Sequence, residues 1–191
     1  MQKVRIFHAR GIFALFLALT VLLAGAIFYM SSEPAVESGA RSTSIADGIV
    51  QLFYPGFGDL PEAEQTTILA SADHILRKCT HFCVYAALGA LLLLDSLCFA
   101  AKPPVHILRA LFAAALYAAS DEIHQSFVPG RGPAVTDVLL DSAGALCGIL
   151  FVWLLVWAVL RRTQQYDGRR TPYRAFFFCI CRFPVSYLYF G

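Results

Sequence analysis

Charge is scarce in this sequence. Lys, Arg, Asp and Glu together make up 15% of its 191 residues, against 58% hydrophobic residues and a mean hydropathy of +0.63, which is not the composition of an ordinary soluble core. Net charge is also small, at +2, and the Lys and Arg residues stand at the ends of apolar runs rather than in one basic stripe, so no nucleic-acid partner is expected. No Gly-rich phosphate loop, dinucleotide fingerprint or HExxH spacing is present, and no cofactor and no metal are expected. Six cysteines do not make a disulfide framework: Cys79, Cys83, Cys98 and Cys147 lie inside or at the ends of apolar helical runs, where cysteine behaves as a small apolar residue.

What is abundant is apolar sequence of membrane-crossing length. Ile12 to Met30 is apolar for about 19 residues, enough to cross a hydrocarbon core. A signal peptide is the competing reading, given Lys3, Arg5 and Arg10 ahead of it, but its apolar region exceeds the usual ~7–15 residues. Ser31 to Leu76 is hydrophilic and acidic. In it, Ser44 with Asp47 and Asp59 with Glu62 have capping-box spacing, which predicts short helices starting at Ile45 and Leu60. Ile68, Leu69, Ile75 and Leu76 predict a surface helix leading into a second span over Cys79 to Phe99, ended by Pro103 and Pro104. The apolar run Ala110 to Ala119 is too short to cross alone, so its helix must continue through Asp121 to about Phe127. A turn at Pro129, Gly130, Gly132 and Pro133 precedes a fourth span, Val135 to Leu160, with Trp153 and Trp157 suited to an interface belt.

Arg161, Arg162, Arg169, Arg170 and Arg174 follow that span and mark the cytoplasmic face, as do Lys3, Arg5 and Arg10 and the pair Lys102 and Arg109. The expected fold is therefore an all-α, polytopic membrane protein: four transmembrane helices in a small bundle, both termini cytoplasmic. Its parts are residues 1–30 (N-terminus and first span), 31–78 (extracytoplasmic loop with short helices), 79–160 (a three-helix membrane domain) and 161–191 (a basic, aromatic cytoplasmic tail). The tail, with Phe176, Phe177, Phe178, Phe183, Tyr187, Tyr189 and Phe190, suits an interfacial segment.

Three apolar stretches are interrupted near one end by ionisable groups, which at membrane depth are costly and make a functional site the default hypothesis. The interruptions are Lys78, His81 and Tyr85; Asp121, Glu122, His124, Gln125 and Arg131; and Asp137 and Asp141. The four-span topology puts all of them on the outer side. Lys78, His81 and Tyr85 share one helical stripe, and Asp137, Asp141, Gly144 and Gly148 share another. Gly144 and Gly148 form a small-xxx-small pair that lets a neighbouring helix approach. Tyr117, Asp121 and His124 or Gln125 share a face of the third helix, with Glu122 about 100° away. His8, His74 and His106 lie outside the clusters and read as solvated or interfacial.

These residues carry a resemblance. RK..HF..YA.LG at Arg77 to Gly89, DE.HQ.F.PGR at Asp121 to Arg131 and D...D..GA..G at Asp137 to Gly148, with SSEP after the first span, resemble the VanZ-like family of bacterial membrane proteins over about Phe28 to Leu150. The resemblance implies a multi-pass protein of the bacterial inner membrane and cell envelope. The family's namesake is linked to low-level resistance to the glycopeptide teicoplanin, without an established reaction. Where the family's fourth-span motif usually reads D...N..G, this chain has Asp141 at the Asn position.

Several chemistries remain open. Asp121 and Glu122 near His81 could serve as general acid and base, or join Lys78 and Arg131 in a network that locks helices together. His81, His124, Glu122 and Asp121 are possible zinc ligands without the spacing of a known motif. Arg131, between two glycines, could grip a phosphate or carboxylate, anchor the chain at the membrane surface or pair with Asp137. Tyr85 could hydrogen-bond a ligand or cap His81 or a carboxylate. The leading expectation is a binding module whose outer pocket (Lys78, His81, Tyr85, Asp121, Glu122, Gln125, Arg131, Asp137, Asp141) takes an anionic envelope lipid or a glycopeptide. A purely structural membrane protein comes second. A membrane enzyme acting on a lipid-linked substrate through His81, Asp121 and Glu122 comes third. A transporter is disfavoured because Asp95 is the one ionisable group expected in the inner half of the spans.

Overall fold

The computed structural model describes residues 2–99 and 101–166. The readings made on the aromatic tail, with Cys179 and Cys181, and on the side chains of Lys3, Arg5, His8 and Arg10 fall outside what is described. Among the described residues all regular structure is helical: α1 (Gln2–Ser31), α2 (Ala35–Phe53), α3 (Glu62–Leu97), α4 (Pro103–Gln125) and α5 (Val135–Tyr166), with a single 3-10 turn at Phe57–Asp59.

Among the described residues three helices are long and apolar enough to cross a membrane: Gly11–Ser31 within α1, Glu62–Leu97, and Val135–Val159 within α5. Helix α4 has 23 residues, roughly 35 Å of helix, but His106, Arg109, Asp121, Glu122 and His124 dilute its hydropathy and it is not among the three. Its buried face is nonetheless regular, since Ala110, Ala114 and Ala118 repeat every four residues and are all inaccessible. Phe112, Leu116 and Ile123 of α4, like Leu22 of α1 and Phe151 and Leu154 of α5, are exposed, so the bundle presents an apolar exterior, the inverse of a water-soluble protein.

The tightest seam lies between α3 and α5, which make the most extensive contact in the molecule. A Cβ at Gly148 would collide with the carbonyl group of Ala86, one at Gly144 with Phe82, and one at Gly89 with Ala145. Three glycines therefore bring two backbones together in successive turns, the small-residue packing expected where lipid offers no hydrophobic drive for helix association. Deeper in the bundle, Leu93, Leu97, Ala110, Ile149 and Val156 form one apolar cluster, and Ile27, Tyr85, Leu88 and Ala118 another.

Four local expectations are corrected. Helix α2 starts at Ala35, not Ile45: Pro34, with φ −53°, stands at its N-cap, where a preset φ favours helix entry, and Ser44 lies in mid-helix. Asp59 belongs to the 3-10 turn and α3 starts at Glu62 after Pro61, with no side-chain cap bond. The expected surface helix and second span are one rod of 36 residues with no break at Cys79. His106 is not solvated. It is 2% exposed, and Ser96 Oγ at 3.1 Å and the Ala101 carbonyl at 3.2 Å meet its two ring nitrogens. Nearby, the Thr20 hydroxyl donates to Asp95 Oδ2 at 2.7 Å, so the expected lone inner carboxylate has a partner on α1.

The turn between α4 and α5 is tied to the start of α2. The Ala35 N–H donates to the Pro129 carbonyl at 3.2 Å, and Gly130 takes φ +77° beside the Ala35 methyl. Only glycine accommodates both that backbone angle and that contact without strain.

Candidate functional site

The α3–α5 seam places His81 opposite Asp141 one turn before Gly144. His81 Nδ1 lies 3.6 Å from Asp141 Oδ2. Asp141 is 1% exposed, and neither of its carboxylate oxygens accepts a hydrogen bond. Asp121 reaches the same place from α4 and is 3% exposed. Its Oδ2 accepts from the Ser31 hydroxyl at 2.9 Å, Gln125 Nε2 at 3.0 Å and the Tyr85 hydroxyl at 3.3 Å, while its Oδ1 accepts none. The Tyr85 ring lies nearly parallel to that of His81, at 14°. Helices α1, α3, α4 and α5 thus converge on one buried polar centre.

The other candidates stand around it rather than in it. Lys78 pairs with Asp137 across α3 and α5. Glu122 accepts the Ala134 backbone N–H at 2.8 Å, which fastens the start of α5. His124 stacks on Phe28 at 4.2 Å between ring centroids and shares a hydrogen bond with Ser32 at 3.0 Å. Arg131 donates to Ser38 Oγ at 3.0 Å and to the Met30 carbonyl at 3.4 Å. It is part-buried and does not pair with Asp137, whose partner is Lys78.

Above the buried centre lies a cavity of about 400 Å³. Helix α2 flanks it with Ser38, Arg41 and Ser42, α3 contributes Arg77, Lys78 and His81, the PGR turn contributes Arg131, and α5 contributes Asp137 and Asp141. Four Lys and Arg side chains on this wall face three Asp and Glu side chains. Three of the four cations are already paired: Arg41 with Glu33 at 2.8 Å, Arg77 with Asp73 at 2.9 Å, and Lys78 with Asp137. The hydrogen bonds and charge of Glu33 hold the Arg41 guanidinium above its ordinary pKa. Among the described residues Arg131 is the wall cation with no carboxylate partner.

Sequence reasoning missed Ser31, Ser38, Arg41 and Arg77. Ser31 stands in the SSEP segment but 90 positions from Asp121, and no periodicity links residues that far apart. Arg41 is the single cation of an acidic stretch, a signal that it has a specific neighbour.

The VanZ/LLP1 family profile matches residues 16–157, and the chain belongs to that family. No curated protein and no solved structure matches it. Family membership and three span-capable helices together identify a membrane protein.

Proposed function

We propose that this VanZ/LLP1 family member is a multi-pass protein of the bacterial inner membrane that binds the anionic headgroup of an envelope lipid, or a glycopeptide of like charge, in the cavity between α2, α3 and α5. Helices α1, α3, α4 and α5 make the four crossings, with both termini cytoplasmic and the cavity on the outer side. The excess of Lys and Arg near Arg10, Lys102 and Arg161, against the acidic stretch from Glu33 to Asp73, supports that direction.

The observation that carries the reading is Arg131. It lines the cavity, donates to neutral oxygens only and leaves a planar fork unmatched by any carboxylate, the arrangement that suits bidentate grip of a phosphate or carboxylate. The three paired cations tie the wall together through their carboxylate partners. Acid–base catalysis by Asp121, Glu122 and His81 is less well supported, since Glu122 is committed to the Ala134 amide.

The test is binding to purified protein in nanodiscs of neutral lipid, with an isoprenoid phosphate, phosphatidylglycerol and teicoplanin as probes. At least one probe should bind, and Arg131→Ala should weaken it about tenfold or more, the loss of one charge-assisted contact. Binding of all three unchanged in Arg131→Ala would reject the reading.

A further inference from the structure

We propose that His81, Asp121 and Asp141 hold a divalent cation of the zinc class. One ligand atom from each of the three lies within 4.8 Å of the others. Two donors at ~2.1 Å from one tetrahedral ion stand ~3.4 Å apart, so side-chain rotations that close the widest gap by up to about 1.4 Å complete the set.

The free valences point the same way. Asp141 is buried and neither of its oxygens accepts a hydrogen bond, its nearest partner being His81 at 3.6 Å, and Asp121 is buried with no hydrogen bond to Oδ1. A buried polar atom without a partner is costly, and two buried carboxylates side by side more so. Lys78 does not resolve this, because it is engaged by Asp137, and a protonated His81 would balance only one of the two carboxylates. A dication balances two carboxylates and a neutral imidazole, a donor set that suits zinc.

The surroundings are built as outer shells of metal sites are. Ser31, Tyr85 and Gln125 all donate to Asp121 Oδ2, which fixes the carboxylate and leaves Oδ1 as the free donor atom. His81 and Asp141 also line the 400 Å³ cavity, so three protein donors leave the remaining coordination position open to what enters there. Sequence reasoning placed His81 and Asp121 among possible zinc ligands but not Asp141, because the three come from three helices, 40 and 20 positions apart, with no local spacing to betray them. The inference is independent of the headgroup reading, since metal retention is measured with no lipid ligand added.

The experiment uses the full chain extracted in mild detergent, stripped with a chelator, then titrated with ZnCl2 and assayed for metal by mass spectrometry. The expected result is one zinc per chain. Asp141→Asn and His81→Ala should each weaken binding about 100-fold, and Gln125→Leu about tenfold as an outer-shell change. Asp47→Asn and Cys79→Ser should bind as the native protein does. Cobalt(II) loading of the unmutated protein gives a readout that does not depend on variants folding, with visible d–d bands and no thiolate charge-transfer band expected. Failure of the stripped protein to take up zinc, binding indifferent to Asp141→Asn and His81→Ala, or a thiolate band would each overturn the proposal.

Discussion

Gly148 of α5 lies against the backbone carbonyl of Ala86 so closely that a Cβ has no room between them. The atoms in the way are backbone, which cannot swing aside as a side chain can. Gly148→Ala should therefore force the helices apart and cost about 3 kcal/mol, the upper end of overpacking penalties. Gly25→Ala, where nothing stands within 4 Å, should be neutral or slightly stabilising. Unfolding of the detergent-solubilised variants by increasing SDS measures both.

Asp121 Oδ2 gathers three donors from three helices. Losing one donor leaves the acceptor satisfied, so Tyr85→Phe should cost only about 1 kcal/mol. Asp121→Leu strands all three donors at once in a buried site and should cost about 3 kcal/mol or more. The order of the two in the same SDS titration is the check: equal losses would mean that the shared oxygen does not organise the site.

Lys78 and Asp137 join α3 to α5, but about a third of each side chain is still exposed, at 34% and 29%. Solvent screening limits such pairs, and a double-mutant cycle with Lys78→Met and Asp137→Asn should give a coupling below about 1 kcal/mol. A coupling of several kcal/mol would mean that the pair is sealed from water by something above it.

The four-crossing topology predicts opposite accessibility for Thr43 on α2 and Lys102 at the start of α4, both exposed positions. In a background lacking the six native cysteines, Thr43→Cys should react with a membrane-impermeant maleimide on intact cells. Lys102→Cys should react only after permeabilisation. Labelling of both from outside would mean that α3 does not cross the bilayer, and would overturn the topology.

Much of the site was legible because helical periodicity assigns a face before any partner is known. Lys78, His81 and Tyr85 do share a stripe, and it meets the stripe of Asp137 and Asp141 at the seam that Gly144 and Gly148 open. Contacts between distant segments were not legible: Ser31 with Asp121, Arg131 with Ser38, and His106 closed in by Ser96 and Ala101 depend on how helices assemble. The Ser44 cap failed for a different reason. Its i, i+3 spacing to Asp47 also occurs inside a helix, and Pro34 had already started one.

Helix α3 is a single 36-residue rod, roughly 54 Å long, against a hydrocarbon core of ~30 Å. On the proposed topology it acts as a ruler whose upper graduations stand in water and whose lower ones stand in lipid. Because Asp73, Arg77, Lys78 and His81 are marks on one rigid scale, a bilayer that thickens or thins by a few ångströms does not move them independently. It slides the whole scale, and with it the level at which His81 meets the hydrocarbon boundary. Membrane thickness is then expected to set how wet the buried centre is.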